Sequence, residues 1–167
     1  LADVLVTNKA LLPRSVIEVL PQLKMIAVSA TGYNVVDVET AHERKIPVCN
    51  VPEYGTNAVA QHVMAMLLAW IHRPEGHAES VRRGDWSAAA DFSYWLRPAF
   101  ELAGKQLGIV GWGRIGRAVG ALGRAFGMEV STYTRRPTSV EETPWATWLP
   151  RDELFSRADV VSLHCPL

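Results

Sequence analysis

Cysteine is scarce: Cys49 and Cys165 are the only two in 167 residues. With no secretory leader in view, they do not suggest a disulfide-stapled scaffold. Each sits in an apolar, strand-like run, which predicts buried free thiols in a reducing, cytoplasmic compartment. No His-x-x-x-His, His-Glu-x-x-His or Cys-x-x-Cys spacing occurs, so no metal site is expected. Neither sign of charge is in excess, with 17 Lys plus Arg against 17 Asp plus Glu. The electrostatic footprint of a nucleic-acid binder, or of a protein that docks on an anionic membrane, is therefore missing. No uncharged apolar run reaches the roughly 20 residues of a membrane span. The longest candidate, Ala58 to Ile71, contains Gln61 and His62 and reads as a buried helix. Internal repeats and low-complexity segments are absent.

Apolar residues are plentiful, at 49% of the chain, enough for a packed core. Val4-Leu5-Val6 reads as a short buried strand. Pro13 opens a helix to Leu20, where its missing N–H is not needed. Lys24 to Ser29 and Pro47 to Val51 read as further strands, with a helix from the N-cap Asp37 to Arg44 between them. The run Lys24 to Ser29 lacks polar alternation, as in a parallel sheet covered on both faces. This β-α-β-α-β order predicts a parallel sheet with right-handed crossovers. Thr56 or Asn57 caps a long helix to about His72, apolar nearly all round and so expected between layers or subunits. Gly84 to Phe100 reads as a long loop whose Trp86, Phe92, Tyr94 and Trp95 need a partner or a site to cover them. A second α/β unit follows, with strands 106–111, 128–133 and 159–164 and helices 114–126 and 151–157. The stretch with Pro137, Pro144, Trp145 and Trp148 reads as irregular. Both ends look cut, so the chain is expected to be an internal piece of a larger α/β protein.

One motif carries chemistry. Gly111-Trp112-Gly113-Arg114-Ile115-Gly116 puts G-x-G-x-x-G directly after a strand and directly before a helix. A dinucleotide pyrophosphate needs that order. Gly111 allows the sharp turn, Gly113 lets backbone approach the phosphates, and Gly116 lets helix and strand pack closely. The unpaired N–H groups of the first helical turn then face the anion.

The flanking motifs narrow the reading. Thr31 to Asp37, Asn50-Val51-Pro52, Ala58 to His62, Glu101 to Lys105, the glycine loop and Asp159 to Leu167 stand in the order and spacing of a known family. The chain resembles the D-isomer-specific 2-hydroxyacid dehydrogenases, above all their glycerate dehydrogenase and hydroxypyruvate or glyoxylate reductase branch. The resemblance covers nearly the whole chain. It implies an α/β fold with a Rossmann-like parallel sheet: a partial nucleotide-binding domain plus part of a flavodoxin-like substrate domain. Residues 1–54 match part of the substrate domain and 55–83 the crossover helix. Residues 84–167 match the first half of the nucleotide domain with its dimerisation loop, so a homodimer is expected.

The resemblance also assigns roles. Gly111, Gly113, Arg114, Ile115 and Gly116 match the loop that holds the pyrophosphate. An NAD-specific site places a carboxylate about 20 residues past this motif, on the ribose 2′-hydroxyl. Thr134 stands there instead, followed by Arg135 and Arg136. Guanidinium groups pair with a 2′-phosphate, so NADP is expected over NAD. Thr31 and Gly32 match the loop that binds the substrate carboxylate. Cys165 and Pro166 match the turn bordering the adenosine end. For Cys165 no activating base is in view. Among the histidines, His62 reads as packed or at an interface, His42, His72 and His77 as solvated, and His164 as close to the cofactor. Trp95 is a candidate to project into a neighbouring subunit.

Family members reduce a 2-keto acid with a nicotinamide hydride, using a histidine, a glutamate and an arginine. All three lie downstream of the motif at Leu167, so no catalytic residue is assigned in this chain. The implied ligand of the parent enzyme is a small 2-keto or 2-hydroxy acid, and the chain alone is expected not to turn over. Two rival readings remain: a dinucleotide-sensing corepressor-like protein and a non-catalytic dimerisation or cofactor-binding module.

Overall fold

The computed structural model describes residues 2–135 and 143–165. The chain divides into two compact units, Leu1–Gly55 and Thr56–Leu167.

The first unit is a three-stranded parallel sheet in the order β1-β2-β3, formed by β1 (Val4–Thr7), β2 (Met25–Val28) and β3 (Val48–Cys49). Helices α1 (Arg14–Glu18) and α2 (Val38–Glu43) connect the strands. Ile17, Ile26, Val28, Val36 and Ala41 form its core. Asp37 caps α2 as expected, accepting a 2.9 Å bond from the Thr40 N–H. Arg44 then donates to the carbonyls of Ile17 and Leu20, tying the ends of α1 and α2 together. The strands do not show the even burial expected of a sheet covered on both faces. In β1 Val4 and Val6 are exposed, and in β2 burial alternates. Val4 and Val6 share one face of the sheet with Met25, Ala27 and Cys49, and that face is the less covered one within this unit. Cys49 is exposed for the same reason, at the end of the two-residue β3. The buried-thiol expectation therefore fails at Cys49.

The second unit is a four-stranded parallel sheet in the order β6-β5-β4-β7. Its strands are β4 (Gln106–Val110), β5 (Glu129–Tyr133), β6 (Ala146–Trp148) and β7 (Val160–Leu163). Helices α3 (Thr56–His72) and α6 (Arg114–Ala125) pack on one another beside the sheet. Ala60, Met64 and Ile71 of α3 join Leu107, Ile109, Val119 and Val130 in one core. A further helix, α7 (Arg151–Arg157), puts Leu154 against Gly108, where a Cβ would stand 2.7 Å from the leucine side chain. Val59, Met66 and Trp70 of α3 stay exposed, as does His62. The long helix is thus buried along one stripe and uncovered elsewhere in this unit.

Two stretches hold more structure than their sequence suggests. β6 falls in the stretch expected to be irregular, where it pairs with β5 through Ala146, Thr147 and Trp148. Three residues behind Pro144 are too short to show a strand period. Beyond α3, Arg73 in the left-handed conformation breaks the helix, and α4 (Pro74–Arg82) starts afresh with proline in its first turn. The short α5 (Asp85–Ala88) follows, inside the expected loop. Side chains strap the rest of that segment. The Tyr94 hydroxyl donates to Ser80 Oγ (2.9 Å), and Ser80 donates to Asp85 Oδ2 (2.6 Å). Trp86 Nε1 donates to the Phe92 carbonyl (3.0 Å). Trp86, Phe92 and Trp95 remain exposed, whereas Tyr94 is half-buried.

Candidate functional site

The glycine motif sits where its spacing predicts, between β4 and α6. The Gly111 N–H donates to the Tyr133 carbonyl at the end of β5 (2.8 Å), and the His164 N–H donates to the Val110 carbonyl (2.7 Å). The turn is therefore wedged between the carboxyl ends of β5 and β7. Gly111 has φ of 101°, a conformation that side chains resist, and a Cβ there would strike the His164 carbonyl. A Cβ on Gly116 would strike the Gly111 carbonyl, so helix and turn touch through bare backbone. Gly113 differs from both. A Cβ on it would meet no protein atom within 4 Å and would project into open space.

Gly113 is also the N-cap of α6, with no side-chain cap and no acidic residue in the first turn. The leading N–H groups of a twelve-residue helix, with its positive dipole end, lie beside that space. Arg114 is exposed and Ile115 half-buried against the core. An anion approached by backbone fits this donor set, and a larger residue at Gly113 would fill the cradle.

An open cleft of about 660 Å³ extends from this turn. Gly111, Gly113, Thr134, Arg135 and Cys165 line it, so five of the residues singled out in the sequence come together. Tyr133, Arg151 and His164 line it too. Its size lies within the usual range of small-ligand pockets. Cys165 is exposed at its lip, which overturns the buried-thiol expectation there as well: the residue follows β7 on the edge of the sheet. Trp112 turns the other way, 3% exposed, its ring edge-on to Trp145 at 5.8 Å. Burial lowers the pKa of the His164 imidazole from its ordinary value. Its Nε2 lies 2.8 Å from Ser162 Oγ.

Arg151 was not legible as a cleft residue. It follows β6 by three positions, and β6 itself gave no period to read. The register of β6 on β5 is what carries Arg151 to the end of β5. Arg136 and Pro166 lie outside the described residues. Thr31 and Gly32 belong to the first unit. There Thr31 Oγ1 donates to the Val51 carbonyl (3.0 Å) and Asn50 Nδ2 donates to the Thr31 carbonyl (2.8 Å), holding an exposed loop after β2. Among the described residues no group of three or more His, Cys, Asp or Glu side chains could hold a metal ion. Nor is any described helix long and apolar enough to cross a membrane.

A parallel sheet, a glycine turn at the carboxyl end of its strand and an open helix N-terminus define a Rossmann-like α/β protein of the dinucleotide-binding class. The chain belongs to the D-isomer specific 2-hydroxyacid dehydrogenase family, whose NAD binding domain matches residues 64–167. It is 45% identical over 166 residues to a hydroxypyruvate reductase from Blautia hydrogenotrophica, covering 99% of this chain and 52% of that protein. A crystal structure from Thermus thermophilus superposes with a TM-score of 0.85 at 38% identity, covering 99% of this chain and 51% of the other. A D-lactate dehydrogenase from Aquifex aeolicus, solved with NAD and lactic acid, superposes at 0.79 with 31% identity, over 99% and 49% of the two chains. The chain thus spans about half the length of its relatives.

Proposed function

We propose that this chain forms the cofactor-gripping part of an NAD(P)-dependent reductase of small 2-keto acids, hydroxypyruvate or glyoxylate, with NADP preferred. The observation that carries the reading is the glycine turn, whose uncapped helix end opens into a cleft that Thr134 and Arg135 also line. In this reading Gly111, Gly113, Arg114, Ile115 and Gly116 hold the pyrophosphate through backbone N–H groups. Thr134 and Arg135, joined by Arg136, meet the adenosine ribose and its 2′-phosphate. Cys165 and Pro166 border the adenosine. Thr31 and Gly32 bind the substrate carboxylate through backbone. When bound, the nicotinamide supplies the hydride. Proton transfer is assigned to no residue of this chain. The substrate class rests on the likeness to the hydroxypyruvate reductase.

NADPH and NADH, titrated separately against the intrinsic tryptophan fluorescence of the 167-residue chain, test the reading. NADPH is expected to bind at least about tenfold more tightly, the scale of one charge-assisted contact. Tighter binding of NADH overturns the NADP preference, and silence from both at millimolar concentration overturns the site. Exposed Phe92, Trp95, Met66 and Trp70 support a homodimer as the working state. Two exposed free thiols suit a reducing, cytoplasmic setting.

A further inference from the structure

Arg151 opens α7, yet its side chain lines the same cleft as Tyr133, Thr134 and Arg135. Backbone and side-chain bonds fix this proximity. The Leu149 N–H donates to the Thr132 carbonyl (3.0 Å), and Trp148 Nε1 donates to the Thr134 carbonyl (3.3 Å). The segment leading into α7 is thereby tied to the end of β5. Two guanidinium groups from separate elements thus face one space, and no carboxylate is among its described lining residues. Arg151 does have an anionic partner next door: its Nε donates to Asp152 Oδ1 at 2.9 Å. That pair is open to solvent, with the two side chains 65% and 87% exposed. Exposed ion pairs are weakly held.

We propose that Arg151 is a specificity-determining residue for the adenosine 2′-phosphate, and that Asp152 is the partner that phosphate displaces. The proposal rests on the reading of the cleft as a dinucleotide site. A phosphate near its dianionic state offers three acceptor oxygens and more charge than one carboxylate. It outcompetes Asp152 for the planar guanidinium, which donates to it in bidentate fashion. A ribose 2′-hydroxyl carries no charge and leaves the Arg151–Asp152 pair closed. The pair therefore separates the two cofactors at a position that sequence spacing from the glycine motif does not reach. Arg135 supplies the other half of the grip from just beyond the end of β5.

Calorimetric titration of adenosine 2′,5′-bisphosphate and of 5′-AMP tests this without turnover or the nicotinamide. Four chains are compared: the parent, R151Q, D152N and R157Q. Arg157 lies on the same helix but outside the cleft, so R157Q controls for loss of one positive charge. The parent is expected to favour the bisphosphate over 5′-AMP by about tenfold or more. R151Q should remove most of that preference while leaving 5′-AMP within about twofold, and D152N should strengthen the bisphosphate alone, since its competitor is gone. R157Q should change neither. Equal weakening of both ligands by R151Q, or an effect of R157Q as large as that of R151Q, overturns the proposal. An unchanged bisphosphate affinity in D152N overturns the displacement step. If 5′-AMP binds and the bisphosphate binds no better, this inference fails while the dinucleotide reading stands. If neither ligand binds, both fail.

Discussion

Gly113 and Gly116 separate binding from folding within one turn. A methyl group on Gly116 collides with the Gly111 carbonyl, so G116A is expected to lower the thermal midpoint and to abolish nucleotide binding together. A methyl group on Gly113 meets no protein atom within 4 Å, and its φ of −80° suits any residue. G113A should therefore melt like the parent in calorimetry while binding NADPH about tenfold or more weakly. His164 makes a pH prediction. Burial holds its folded pKa below the ordinary 6.5, so the fold favours the neutral ring. Its contribution is complete above the unfolded value and declines as pH falls through the lower folded value. Melting midpoints recorded from pH 7.5 to 5 should drop more steeply for the parent than for H164Q. These residue-scale features differ in how far the sequence shows them. The glycines are legible because their spacing encodes a local turn. His164 reads only as a residue near the ligand edge of the sheet, since its desolvation depends on neighbours brought together by β4 and β7.

Among the elements, α7 leans on the sheet through a single leucine. Leu154 is fully buried over Gly108, so L154A leaves a cavity that no other side chain fills. The expected loss is about 2–5 kcal/mol in urea unfolding, with the secondary structure of the sheet intact below the transition. Because α7 also carries Arg151, this variant should weaken adenosine 2′,5′-bisphosphate more than 5′-AMP. The main helices and the strands flanking the glycine turn were readable from apolar runs bounded by capping and breaking residues. Asp37 before α2 and Gly113 before α6 are examples. β6 was not, because three residues between prolines show no period, and its identity comes from pairing with β5. The separation of α3 from α4 was likewise hidden. Pro74 is compatible with a kink or with a new start, and the left-handed Arg73 decides for the latter.

At the scale of the whole molecule, the exposed aromatics predict association. Phe92 and Trp95 are 86% and 70% exposed on a segment strapped in place through Tyr94, Ser80 and Asp85. Sedimentation at rising concentration is expected to show a dimer for the parent and a shift toward monomer for a F92S/W95S double variant; a monomer at all concentrations sinks the dimer reading. The sequence by itself determined the α/β class, the parallel sense of the strands and the glycine turn. Each of these is written in neighbouring residues, as a strand, a turn and a helix start within a short span. Tertiary structure alone decided which distant residues share the cleft. Arg151 joins Gly111, Arg135 and Cys165 because β6, β5, β4 and β7 pair in register and end at one edge. It also decided that both thiols are exposed. An apolar run reports the affinity of a strand for cover, whereas exposure depends on which faces and edges the other elements reach.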